Sequence, residues 1–312
     1  MDKRIINNID LLTSALASLS AENKWLDSKW FYDPAGSVLF EDITKLPEYY
    51  PTRTEVKILT KNIDQLQAYI PDGAALVELG SGSSTKTRIL LDRFHNLNAY
   101  LPLDISEEFL KQSANELAFD YPDLIVDPVV ADFMVPFKFP ENHVNSSKIA
   151  FFPGSTIGNL ESDKAIQLLA SIHEWNQVSA FIIGIDLIKD IDTLISAYDD
   201  AAGVTAAFNL NILHRMNREI GANFDLEKYK HEARWNVEQS RIEMHLVSLV
   251  AQIVNIGATK ICFEAGESIH TENSHKYSQQ SFAKIAAQSG WNISKFITDE
   301  DDFFAVAVLQ PK

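Results

Sequence analysis

The sequence predicts an α/β fold, a doubly wound, Rossmann-like sheet joined to a second, α+β subdomain. Three observations predict it. From about residue 70 to 186, five short apolar runs alternate with helical patterns, the rhythm of a parallel sheet covered on both faces. The first run ends in a glycine loop that leads into a helix. From about 187 to 275 the rhythm breaks into a helix-rich stretch and the alternating run Arg241-Ile242-Glu243-Met244-His245-Leu246-Val247, which reads as an insertion.

The elements are justified in chain order. The first 25 residues read as a helix, with Ile6, Leu11, Leu12, Leu16 and Leu19 on one stripe. In Trp30-Phe31-Tyr32-Asp33-Pro34-Ala35-Gly36 the proline and glycine predict a turn. Pro51 restarts the chain into a helix near Thr52, through Glu55, Ile58 and Leu59. The apolar runs 74–79, 99–104, 125–132, 148–154 and 180–186 are the sheet strands. A helix over 282–289 and a closing strand over 303–309 restore the α/β pattern. The boundaries that follow are 55–186 plus 277–312 for one domain, and 1–54 plus 187–276 for the other.

Composition narrows the function classes. Of 312 residues, 46% are hydrophobic and 22% charged, enough apolar material for a large folded core. The formal net charge of -16 offers no basic stripe for phosphates, which argues against nucleic acid and anionic membrane as partners. The single cysteine, Cys262, excludes an intrachain disulfide and reads as a buried core residue. No window approaches the roughly 18 apolar residues of a membrane span, and no signal sequence is evident, so a cytoplasmic location is expected.

The loop Glu78-Leu79-Gly80-Ser81-Gly82-Ser83 follows a strand and precedes a helix expected near Thr85. Glycines there let the backbone approach a ligand, and the free N–H groups of the helix start attract an anion. A dinucleotide enzyme would place a third glycine where Thr85 stands, and the spacing of a phosphate-binding P-loop is absent. Asp104 ends the second strand, where a carboxylate can accept from ribose hydroxyls. Asp132-Phe133 ends the third, an acid and an aromatic suited to an adenine. Three such features at consecutive strand ends point to S-adenosylmethionine as cofactor and to a class I methyltransferase. A nicotinamide oxidoreductase and a non-catalytic interaction protein are the alternatives. The loop Phe152-Pro153-Gly154-Ser155-Thr156-Ile157-Gly158-Asn159 reaches the same edge and suits a small polar group.

Several segments carry a resemblance over almost the whole chain. They are Lys29-Trp30-Phe31-Tyr32-Asp33, Leu46-Pro47-Glu48-Tyr49-Tyr50-Pro51-Thr52-Arg53-Thr54-Glu55, Glu78-Leu79-Gly80-Ser81-Gly82, Gly154-Ser155-Thr156-Ile157-Gly158-Asn159-Leu160, the run from Ala197-Tyr198-Asp199-Asp200 to Asn209, and Arg241-Ile242-Glu243-Met244. Together they resemble the histidine Nα-methyltransferase family, whose members trimethylate the α-amine of L-histidine to hercynine, the first step toward ergothioneine.

The resemblance implies that Asn159 and Tyr198 hold the amino acid's α-amino and carboxylate ends and that Gly154 lies near the amine. It implies that Tyr32 and Tyr49 are pocket tyrosines, that Glu272 and Ser274 recognise the imidazole, and that Met244 lines the ring pocket. On the cofactor side it implies Gly80, Lys86, Asp104, Asp132 and Phe133. The first domain is then the cofactor-binding methyltransferase domain and the second binds substrate. Some members of the family act on tryptophan; Glu272 with Met244 favours histidine. A carboxylate with a hydroxyl suits the donor and acceptor nitrogens of imidazole. The expected chemistry is direct displacement without a metal, with Asn159 holding the amine and Tyr32 as the candidate proton carrier. A monomer acting on a small molecule is expected.

Overall fold

A computed structural model describes residues 8–81 and 85–312; Gly82 of the glycine loop lies outside the described residues. In chain order the elements are α1 (Ile9–Leu19), α2 (Pro34–Ile43), α3 (Tyr50–Gln67), β1 (Ala74–Leu79), α4 (Thr85–Leu91), β2 (Leu97–Asp104), α5 (Glu107–Asp120), β3 (Ile125–Val126), β4 (Val129–Val130), β5 (Lys148–Phe152), α6 (Ser162–His173), β6 (Val178–Asp186), α7 (Ile191–Tyr198), α8 (Val204–Glu219), β7 (Tyr229–Asn236), β8 (Arg241–Ser248), β9 (Gln252–Ile256), β10 (Thr259–Phe263), β11 (Ser268–His275), α9 (Gln279–Gln288), β12 (Trp291–Thr298) and β13 (Phe304–Pro311). The chain divides into two compact units, Met1–Tyr50 with Lys189–His275, and Pro51–Ile188 with Lys276–Lys312.

The larger unit is a sheet of order β12-β13-β6-β5-β1-β2-β3, with β4 also on β2. Pairs among β1 to β6 are parallel, whereas β13 runs antiparallel between β6 and β12. This is the doubly wound, Rossmann-like sheet expected from the sequence. Both faces are buried, as crossover helices require. Leu76, Ile149, Phe151, Ile182, Val306 and Val308 pack on one side with Ile58 and Leu59 of α3. Ala150, Phe152, Phe181, Ile183, Ala305 and Ala307 pack on the other with Leu168, Leu169 and Phe282.

The third expected strand, 125–132, is instead two short pieces flanking Asp127 and Pro128. Proline has no N–H to give the ladder, so β2 is paired before it by β3 and after it by β4. Strand β12 was not expected at all. Its Trp291 is fully buried and donates from Nε1 to the Leu169 carbonyl at 2.8 Å, which pins this edge strand to α6.

In the smaller unit, β11-β8-β7 form an antiparallel sheet and β9-β10 a separate hairpin. The predicted turn at Pro34 and Gly36 is the first turn of α2. Asp33 caps it, accepting from the Gly36 N–H at 2.7 Å, and Pro34 stands where no N–H is needed. A Cβ on Gly36 would lie 1.8 Å from the Phe31 carbonyl oxygen, so the glycine serves packing, not a turn. Cys262 is exposed and not a core residue. Its neighbours Ile261 and Phe263 face inward, and the two-residue alternation of β10 turns it out. Among the described residues, no helix is long and apolar enough to cross a membrane.

Candidate active site

Each unit carries part of the expected site. In the larger unit, strand register sets the residues expected at the cofactor side by side. Leu79 pairs with Leu103, and Leu103 with Val129, so the chain leaves the sheet at Gly80, Asp104 and Ala131 along one edge. Gly80 has φ +67°, and its N–H donates to the Leu103 carbonyl at 2.9 Å. A Cβ on Gly80 would lie 3.8 Å from the Phe133 ring, so glycine keeps this cradle open next to the aromatic. Asp104 accepts from the Ser106 N–H at 2.8 Å, and burial raises its pKa above the ordinary carboxylate value. Asp132 accepts from the Met134 N–H at 2.8 Å, leaving Phe133 edge-on to Phe152 with ring centroids 5.5 Å apart. An open cradle, an aromatic wall and two strand-end carboxylates fit a nucleoside carrying an amino acid.

Beneath this edge lie two buried carboxylates. Glu78 Oε2 accepts from Thr87 Oγ1 at 2.6 Å and from the Tyr100 hydroxyl. Burial dominates and pushes its pKa up to about 7. Tyr100, beside it, is held protonated by burial and by the Glu78 charge. Glu55 is fully buried. Its Oε2 takes an ion pair from Lys86 Nζ at 2.5 Å and a hydrogen bond from the Gly154 N–H at 2.8 Å. One carboxylate therefore brings together Lys86, expected at the cofactor, and Gly154, expected near the amine. Gly154 and Ser155 are both left-handed, with φ of 79° and 57°. The Ser155 hydroxyl accepts from the Asp186 N–H at 2.9 Å, which ties the loop to the end of β6. Asn159 closes the short 3-10 turn that follows. Asp186 is itself paired with buried Lys276 at 2.7 Å.

Glu55 stands in a segment that carries the resemblance, yet the residue pattern gave it no role. The signal was available: it precedes Ile58 by three and Leu59 by four, which puts a charge on the buried stripe of α3. A charge there has to be paired.

In the smaller unit the expected substrate residues fall on one aromatic and polar wall. Tyr32, Phe40, Tyr49 and Tyr198 follow one another with ring centroids 5.7, 6.4 and 6.2 Å apart. Tyr49 is buried, whereas Tyr32 keeps 42% of its surface exposed. The Tyr198 hydroxyl lies 2.7 Å from Ser274 Oγ. Met244 is buried directly opposite Glu272 across the β8–β11 pair, where an irregularity at Thr271 shifts the register. Glu243, His245 and His270 occupy the other face, with ligand-type atoms within 4.8 Å of one another. Asn236 and Arg241 already hold Glu243 Oε1 at 2.9 and 2.8 Å, and the two imidazoles stack with ring centroids 4.9 Å apart.

With this geometry established, comparison with known proteins identifies the family. The model of a family described as "Histidine-specific methyltransferase, SAM-dependent" matches residues 11–311. A histidine N-alpha-methyltransferase of Mycolicibacterium smegmatis is 41% identical over 94% of this chain and 92% of its own length. One of Mycobacterium tuberculosis is 37% identical over 96% and 95%. Ergothioneine biosynthesis protein 1 of Neurospora crassa is 32% identical over 72% of this chain and 26% of its own length. The family model spans nearly the whole chain, and both histidine N-alpha-methyltransferases are covered almost end to end: the chain belongs to the family of histidine-specific, S-adenosylmethionine-dependent methyltransferases.

Proposed function

We propose that this enzyme transfers three methyl groups in turn to the α-amine of L-histidine, forming hercynine for ergothioneine synthesis. The observation that carries the reading is the polar wall of the smaller unit, where the Tyr198 hydroxyl meets Ser274 beside the Met244–Glu272 pair. A carboxylate, a hydroxyl and a thioether suit the edge and face of an imidazole, and a ring that cannot match them leaves buried polar groups unpaired. Glu272 and Ser274 take the imidazole, with Met244 and Tyr49 along the ring. Tyr198 and Asn159 take the carboxylate and amino ends, and Gly154 lies by the amine. Gly80, Lys86, Asp104, Asp132 and Phe133 hold the cofactor. The chain works as a cytoplasmic monomer on a small molecule, without nucleic acid or membrane; the charge of -16 supports the exclusion of those anionic partners.

Bound S-adenosylmethionine supplies an electrophilic sulfonium methyl. The chain's residues must then present a free amine. An α-ammonium has no lone pair, and even at a peptide terminus its reference pKa is about 8, so a proton leaves before each transfer. Asn159 and the Gly154 loop orient the amine, and the half-exposed Tyr32 passes the proton outward. Holding the amine in line supplies much of the rate. The quaternary product has no proton left to lose, so the sequence of transfers stops at three.

Incubation with S-adenosylmethionine and a mixture of amino acids, read by mass spectrometry, tests the reading. Histidine should gain three methyl groups. Methylation of tryptophan in its place, or of no amino acid, overturns it.

A further inference from the structure

Behind the tyrosine wall lies a buried hydrogen-bond chain that the reaction itself does not use. Helix α7 ends at Tyr198, where the last carbonyls of a helix look for partners beyond it. The ring of His231 on β7, its side chain 1% exposed, is one such partner: Nε2 lies 2.7 Å from the Tyr198 carbonyl oxygen. Its Nδ1 lies 2.8 Å from Asn209 Nδ2 on α8. The same Nδ2 is 3.2 Å from the His245 carbonyl oxygen, which can only accept, so this end of the amide is the donor. Thr271 Oγ1 donates to Asn209 Oδ1 at 2.8 Å and lies 3.0 Å from the Met244 carbonyl oxygen. These bonds leave the imidazole one arrangement, with Nδ1 accepting and Nε2–H donating. Burial favours the same neutral form.

The chain thus runs from the backbone of Tyr198 through His231 and Asn209 to Thr271, the residue before Glu272. Thr271 sits at the irregularity that sets Glu272 opposite Met244. We propose that His231 is a positioning residue for the amino-acid pocket: neutral and protonated at Nε2, it fixes the end of α7 at Tyr198 and ties it, through Asn209 and Thr271, to the strand that carries Glu272 and Ser274. The proposal rests on the reading that Tyr198 and Glu272 bind histidine. It assigns the spacing between the carboxylate end and the ring end of the substrate to one buried network, so slackening the network relaxes substrate fit and leaves the cofactor untouched.

Two partial isosteres test it. In His231→Gln the side-chain amide can still donate to the Tyr198 carbonyl from the Nε2 position. In His231→Asn the amide oxygen can replace Nδ1 as acceptor for Asn209, but the bond to Tyr198 is lost. His231→Asn should raise KM for histidine about tenfold, the worth of one buried hydrogen bond. Calorimetric S-adenosylmethionine affinity should stay within about twofold, and His231→Gln should recover most of the loss. Thr271→Val, which removes the far link at nearly constant volume, should raise KM for histidine in the same selective way and serves if His231→Asn does not fold. Unchanged KM in His231→Asn and Thr271→Val, equal losses in the Gln and Asn variants, or a parallel loss of cofactor affinity overturns the proposal. Tyr198→Phe separates the two levels. If it leaves KM for histidine unchanged, the reading of Tyr198 fails. If it raises KM while His231→Asn does not, the positioning role alone fails.

Discussion

Replacing Glu78 by glutamine should make the protein more stable, and increasingly so as pH rises. Glu78 is 3% exposed, and burial pushes its pKa from an ordinary 4.5 to about 7. The folded protein therefore keeps a proton that the unfolded chain releases above pH 4.5. Between those values the folded state binds more protons, so stability falls as pH rises, and the whole cost is present above about pH 7. At about 1.4 kcal/mol per tenfold, that cost is about 3 kcal/mol. Glutamine has no proton to lose. Because Thr87 and Tyr100 both donate to Oε2, a carboxamide oxygen in that place keeps both bonds. Urea unfolding followed by tryptophan fluorescence should give a gap between Glu78→Gln and wild type under about 1 kcal/mol near pH 5, widening by about 2–3 kcal/mol by pH 8.5. A gap that stays constant across this range would refute the reasoning, because Glu78 would then titrate alike in the folded and unfolded chain.

The strands with continuous apolar runs were legible because both faces of a covered parallel sheet demand such residues; β1, β2, β5 and β6 stand within two residues of their expected limits. The piece over 125–132 was misread because hydrophobicity does not register the N–H missing at Pro128. Cys262 was misplaced for a related reason: an apolar run does not say which face of a two-stranded hairpin is covered. Strand β12 escaped because it is an edge strand of mostly half-buried side chains whose one fully buried anchor is a single tryptophan. The positions at the strand ends could be read one at a time, since each follows from where a strand stops. The carboxylate beneath them could not. Glu55 meets Gly154 across 99 residues of chain, a pairing that no local spacing encodes. The hydrogen bond between Tyr198 and Ser274, 76 residues apart, is of the same kind. What the sequence does offer in such cases is the anomaly of a charge on an apolar stripe.

Three further perturbations separate the roles of the two units. Asp104→Ala should weaken S-adenosylmethionine binding by about tenfold or more, the loss of a charged hydrogen-bond acceptor; calorimetry showing normal affinity would remove Asp104 from the cofactor site. Glu272→Ala should do the reverse, impairing histidine turnover by about a hundredfold at saturating cofactor with cofactor affinity kept; unchanged histidine kinetics would sink the imidazole assignment. Gly184→Ala changes one methyl group on β6 and acts on the larger unit alone. The new Cβ would stand 2.0 Å from Glu55 Oε1 and 3.1 Å from the Phe304 ring. Glu55 has no solvent to turn toward, so the methyl can be admitted only by shifting the carboxylate off Lys86 and the Gly154 N–H. Separating a buried ion pair costs about 3–5 kcal/mol, so the urea midpoint should fall markedly and S-adenosylmethionine binding should weaken with it, because Lys86 loses its anchor. If Gly184→Ala keeps wild-type stability and affinity, Glu55 is free to move, and the carboxylate does not hold Lys86 and the Gly154 loop in place.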